Sequence, residues 1–138
     1  MTTLLSPNQE RIENWIGGRR VPPAAGGYLD SVNPSNAEVW IQVPSGDADD
    51  IAAAVNAAKN AFEGPWRSLP AMNRAGLLRA AAIEVARHAE ELATIECRDN
   101  GKPIAEARVG DLPSVSEMLN YWAGAADKLH GETVQVSP

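Results

Sequence analysis

The chain has 138 residues, enough for one domain of ordinary size. Of its 61 apolar residues 23 are alanine, and there is a single Phe, so any core is thin and helical. Twelve basic against eighteen acidic residues give a net charge of −6, which argues against nonspecific binding to nucleic acid.

Cys97 stands alone, so an internal disulfide framework and a cysteine-based zinc site are both excluded. No apolar run approaches the length of a membrane span, and no basic leader precedes an apolar stretch. These features predict a soluble protein of a reducing compartment, the cytoplasm, without membrane or nucleic-acid partners.

Residues 1–10 are polar and aperiodic and read as a loose tail. Ile12 to Ile16 is a strand candidate, and Gly17-Gly18 suits a tight turn into Arg19–Val21. Pro22 to Gly27 is a loop by composition. Tyr28 to Val32 is the next strand, ended by Asn33-Pro34. Val39, Ile41 and Val43 alternate with Trp40 and Gln42 as a further one. Together these predict a small antiparallel β meander.

At Asp47 the periodicity changes to helical. Asp47 is an N-cap candidate, with Asp49 and Asp50 at the positive end of the helix dipole. Ile51, Ala54, Val55, Ala58, Ala61 and Phe62 repeat at helical spacing until Gly64-Pro65. The next helix is expected to be capped by Ser68, with Pro70 in its first turn. Leu77, Leu78, Ala81, Ala82 and Val85 form its apolar face. The pattern resumes at Ala89, Leu92, Ala93 and Ile95 and ends at Asn100-Gly101, a left-handed cap. A further helix begins near Pro103 and carries Val115, Met118, Leu119, Trp122, Ala126 and Leu129. Thr133 to Val136 alternate as a last strand. Three or four helices thus follow the meander.

The residues hold no self-contained active site. Neither G-x-G-x-x-G nor G-x-x-x-x-G-K-[ST] occurs, so no familiar phosphate-binding loop is present. His88 and His130 lie 42 positions apart without metal-ligand spacing. His88, among Arg87, Glu90 and Glu91, reads as part of a solvated helix face. Cys97 falls near a helix C-terminus beside Glu96 and Asp99, where a thiolate is disfavoured, and reads as a structural thiol. Asp47, Asp49 and Asp50 lack the closing Glu of a calcium loop, since Ala58 stands at that position. Arg74, in a first turn, calls for a specific partner such as a carboxylate.

The order of several short stretches is more informative than any one of them. They are Trp15-Ile16-Gly17-Gly18, Val32-Asn33-Pro34, Val43-Pro44 and Asp49-Asp50-Ile51 leading to Ala57-Ala58 and Ala61-Phe62. Pro65-Trp66, Arg74 with Leu77-Leu78, and Asp99-Asn100-Gly101-Lys102-Pro103 follow, and Tyr121 to Thr133 closes the series. In this order the chain resembles the amino-terminal region of the NAD(P)-dependent aldehyde dehydrogenase superfamily.

The resemblance implies an α+β fragment of an α/β protein, the meander and outer helices of a cofactor-binding domain. Residues 11–138 would be an incomplete portion of that domain. It implies a parent enzyme that oxidises an aldehyde to a carboxylic acid. There a cysteine thiolate attacks the aldehyde, a hydride passes to NAD or NADP, and a glutamate helps water release the thioester. In the family these groups lie outside the matching region, and Cys97 does not match the nucleophile. No catalytic or cofactor-binding residue is therefore carried over, and no cofactor is expected on this piece alone. Arg74 matches a recurrent structural arginine. A monovalent cation held near Ser31, Val32 and Asp99, partly by backbone carbonyls, is the one site the resemblance implies. The expected partners are the rest of the enzyme chain or a second copy, in a homo-oligomer. A noncatalytic module that associates through its open β edge and apolar helix faces is the alternative.

Overall fold

The computed structural model describes residues 11–128, 130 and 131. The proposed tail 1–10, Leu129 and the strand at Thr133–Val136 lie outside these. Two short antiparallel ribbons come first. β1 (Asn14–Ile16) pairs with β2 (Arg19–Val21), and β3 (Tyr28–Asn33) pairs with β4 (Glu38–Pro44). Gly17 and Gly18 connect β1 to β2 with φ of 60° and 78°, the left-handed pair that a two-residue hairpin of this twist requires. The antiparallel order matches the sequence reading, but the ribbons form two separate sheets. Among the described residues, their edges are joined by a parallel bridge between Arg11 and Gln42, with Ile12 N–H donating to the Gln42 carbonyl at 2.9 Å.

In the second ribbon Ser31 faces Ile41 and Val32 faces Val39, so Trp40 is an extra, bulged residue. The alternation expected of β4 breaks there. Ile41 is buried while Val39, two positions earlier, is exposed.

Helix α1 (Ala48–Glu63) starts where the sequence places it. Asp47 Oδ1 accepts from the backbone N–H of Asp49 and Asp50, and the Asp50 side chain accepts from Asp47 N–H, closing a capping box. Asp50 does more than cap. It is 7% exposed, and its carboxylate also accepts from Ala24 N–H and Asn14 Nδ2. One buried anion thus joins the first hairpin, the Pro22–Gly27 loop and the start of α1.

Pro65 opens a four-residue helix, α2 (Pro65–Ser68), and α3 (Ala71–Arg87) follows. Ser68 does not cap α3. Its hydroxyl donates back to the Pro65 carbonyl inside α2, and Pro70 takes the N-cap position. Helix α4 (Ala89–Asn100) comes next, then a short α5 (Ile104–Glu106). A π-helical turn at Ala107–Asp111 leads into α6 (Leu112–Ala125).

The core is built largely from small side chains. Ala75 and Ala82 on α3 and Ala123 on α6 are buried where these two helices pack, and Ala93, Ala107 and Leu112 form a second cluster. Alanine lets helix backbones approach closely but buries little area per residue. α1, α3 and α6 each leave apolar side chains facing outward. On α3, Leu78, Ala82 and Val85 turn inward while Leu77 and Ala81, expected on the same face, are exposed. On α6 the inward line is Leu112, Ser116, Leu119 and Ala123, leaving Val115, Met118 and Trp122 exposed. On α1 Ile51, Val55 and Phe62 are all exposed, and only Asp50 is buried.

The end of α4 is tied to both neighbours. Gly101 caps it in the left-handed conformation, φ 77°, with its N–H on the Cys97 carbonyl at 3.0 Å. A Cβ on Gly101 would lie 3.2 Å from Pro34 Cβ, so the turn after β3 rests on the bare α-carbon. Lys102 Nζ donates to Glu96 Oε1 at 3.1 Å and to Asp111 Oδ2 at 2.5 Å, linking α4 to the π-helical turn. Asp111, then Glu96, hold the Lys102 ammonium well above its ordinary value of 10.5.

Three outcomes follow from these contacts. Asp50→Ala removes one half of the capping box and leaves part-buried donors on Asn14, Ala24 and Asp47 without their acceptor, and should lower unfolding stability by about 2 kcal/mol in a urea titration. Gly101→Ala forces a left-handed alanine against Pro34 and should lose at least about 1 kcal/mol by the same measurement. Because the folded-state pKa of Lys102 is raised, its contribution is fully present below the unfolded value and lost as pH climbs toward the folded one. The difference in urea midpoint between wild type and Lys102→Met should therefore stay flat to about pH 10 and shrink above it.

Candidate functional site

The contacts between β3 and the end of α4 bring together stretches separated by most of the chain. Ser31 comes from the middle of β3 and Asp99 from the last turn of α4. The Ser31 hydroxyl donates to Asp99 Oδ1 at 2.6 Å, across 68 positions of sequence. Trp40 Nε1 donates to Ser31 Oγ at 3.1 Å. Val32 follows Ser31 in the strand, with its side chain exposed. Two of the three residues expected at a cation site, Ser31 and Asp99, are thus in direct contact, and Val32 is adjacent to them in the chain.

The donor set is oxygen only and carries one formal negative charge. Among the described residues no group of three or more His, Cys, Asp or Glu side chains could hold a metal ion. Oxygen donors suit a hard cation rather than a soft metal. Ser31 and Asp99 thus have the donor chemistry for part of the monovalent cation site that the resemblance implies. Neither of the two familiar glycine-rich phosphate loops occurs in the sequence.

Trp40 is the member that sequence reasoning missed. Its place depends on the bulge in β4, and read as a regular strand the sequence assigns it only to the face opposite Ile41. Lys102 was legible only as part of a motif, not as an ion-pairing centre.

The other residues singled out in the sequence stand apart from this corner. Cys97 is half-buried in the last full turn of α4, and its carbonyl receives the Gly101 N–H. His88 sits at the junction of α3 and α4, its side chain only 14% exposed, with Nδ1 3.3 Å from Glu91 and Nε2 3.9 Å from Glu84. It is not part of a solvated face, because the chain turns from one helix into the next at this residue. His130 is exposed beyond the end of α6. Arg74 finds a backbone partner rather than a carboxylate: its Nη1 donates to the carbonyl of Leu69, the residue that caps α2. The Asp47 to Asp50 cluster is the helix cap described above.

This geometry can be set against known proteins. The model of the aldehyde dehydrogenase family matches residues 21–138. Aldehyde dehydrogenase family 2 member B4, mitochondrial, from Arabidopsis thaliana is 42% identical over 120 residues, covering 86% of this chain and 22% of that protein. The mitochondrial aldehyde dehydrogenase of Homo sapiens is 44% identical over 108 residues, 77% of this chain and 21% of the relative. The NAD+ complex of aldehyde dehydrogenase from Bacillus cereus superposes with a TM-score of 0.91 at 35% identity, over 99% of this chain and 29% of that one. The chain thus spans between a fifth and a third of the length of these proteins. With a family model matching most of its length and a shared fold at this level of identity, the chain belongs to the aldehyde dehydrogenase family.

Proposed function

We propose that residues 11–138 supply the amino-terminal portion of the cofactor-binding domain of an NAD(P)-dependent aldehyde dehydrogenase, and that they carry out no chemistry alone. The observation that supports this is the apolar surface that α1, α3 and α6 turn outward. Phe62, Leu77 and Trp122 are each more than half exposed in a chain that spans only a fraction of its relatives' length. Contiguous exposed apolar surface marks a face that another element covers. In this reading the cover is the rest of the enzyme, or a second copy when the 138 residues stand alone.

The chain's own part is then structural. Asp50 fixes the first hairpin to α1, Gly101 seats the β3 turn on α4, and Ser31 with Asp99 offers oxygen ligands. A monovalent cation held by Ser31, Val32 and Asp99 would neutralise the carboxylate where β3 meets α4. NAD or NADP, bound elsewhere in the whole enzyme, would accept the hydride. No residue here is assigned to that step. Among the described residues no helix is long and apolar enough to cross a membrane, and the single unpaired thiol suits a reducing compartment such as the cytoplasm.

The 138-residue chain should form no NADH or NADPH above a buffer blank with short or aromatic aldehydes. Light scattering at high micromolar concentration should show a dimer or larger species. Turnover that Cys97→Ser abolishes would overturn the noncatalytic reading. A monomer with cooperative, concentration-independent unfolding would instead favour a self-contained interaction module.

A further inference from the structure

We propose that Trp40 is a positioning residue that fixes the direction of the Ser31 hydroxyl, and with it the ligand set that Ser31 and Asp99 present to a monovalent cation. This rests on the cation reading above. A serine hydroxyl has one hydrogen and two lone pairs and rotates freely when nothing holds it, whereas an indole N–H can only donate. With Trp40 Nε1 at 3.1 Å, one lone pair of Ser31 Oγ is occupied and the hydroxyl hydrogen cannot point that way. It points to Asp99 Oδ1, at the 2.6 Å expected of a charge-assisted O–H···O⁻ bond. The direction of donation is therefore set along the whole line, from Trp40 to Ser31 to Asp99. Left over are one lone pair on Ser31 and the second carboxylate oxygen of Asp99, both held in place.

The β4 bulge is what supplies this arrangement. Trp40 is the residue without a partner on β3, and the strand on either side of it returns to register at Val39 and Ile41. Bulges re-aim a side chain in this way. The bulge and the exposed pairing of Ser31 with Asp99 are independent features of the structure, and the indole connects them.

The test uses the ¹⁵N-labelled 138-residue chain, following the Trp40 indole N–H resonance, identified by its loss in Trp40→Phe. The resonance should move in Asp99→Asn, although Asp99 does not touch the indole, and it should move again in Ser31→Ala. Potassium chloride should shift it and raise the urea midpoint relative to choline chloride at equal ionic strength. Asp99→Asn should abolish both potassium responses. Trp40→Phe keeps an aromatic ring and should raise the half-saturating potassium concentration about five-fold, the weight of one hydrogen bond. A packing role alone would lower the Trp40→Phe midpoint equally in potassium and choline, and would leave the indole resonance unmoved in Asp99→Asn. That result overturns the positioning role while the cation reading stands. A wild-type chain that does not distinguish potassium from choline overturns both. Should Trp40→Phe fail to fold, the Asp99→Asn and Ser31→Ala resonances decide the relay.

Discussion

Gly101 ends α4 at φ 77°, and the absence of a side chain there lets the Pro34 ring come against its α-carbon. Glycine satisfies both demands without strain, since a left-handed backbone disfavours a Cβ and one here would press on Pro34 at 3.2 Å. The contact seats the turn after β3 on the end of α4. One residue before the cap's last helical position, Asp99 then reaches Ser31, and one residue after the cap Lys102 reaches Asp111. The strand portion, the helical portion and the candidate cation site are all positioned from this corner. Two of the stretches that carry the family resemblance, Val32-Asn33-Pro34 and Asp99-Asn100-Gly101-Lys102-Pro103, are in direct contact here.

A second anchor works by charge. Asp50 is the only buried polar or charged side chain among the described residues, and it accepts hydrogen bonds from Asn14, Ala24 and the Asp47 backbone. A buried carboxylate is tolerable because these donors, with the helix N-terminus, replace its water. Gly101 and Asp50 hold the two ribbons to different helices, which is consistent with their forming separate sheets. A joint at each end takes the place of a continuous ladder between them.

The packing between helices explains why so much apolar surface remains outside. The most buried side chains between α3 and α6 are alanines, and the Ser116 hydroxyl lies 3.4 Å from the Ala82 carbonyl. Such an interface is close but small in area. The larger side chains, Leu77, Ile83, Met118 and Trp122 among them, point away from it. A helix with apolar residues on two sides is suited to lie between two layers, of which these residues provide one.

The extents of α1 and the end of α4, the Asp47 cap and the Gly17-Gly18 hairpin were legible in the sequence, because each is set by local backbone chemistry or by periodicity within a few residues, whereas the short α2 and the π-helical turn before α6 were not. The apolar residues of α3 and α6 were legible as helical, but not as divided between two faces. A face is assigned by the neighbour it meets, and periodicity alone does not identify the neighbour. Family likeness implied only that a cation is held near Ser31, Val32 and Asp99; the hydrogen bond between Ser31 and Asp99, across 68 positions, was not legible from spacing. The part of Trp40 was not legible at all. A bulge is settled by how two strands twist and register against each other, so only the tertiary structure decided that an indole N–H would meet the Ser31 hydroxyl.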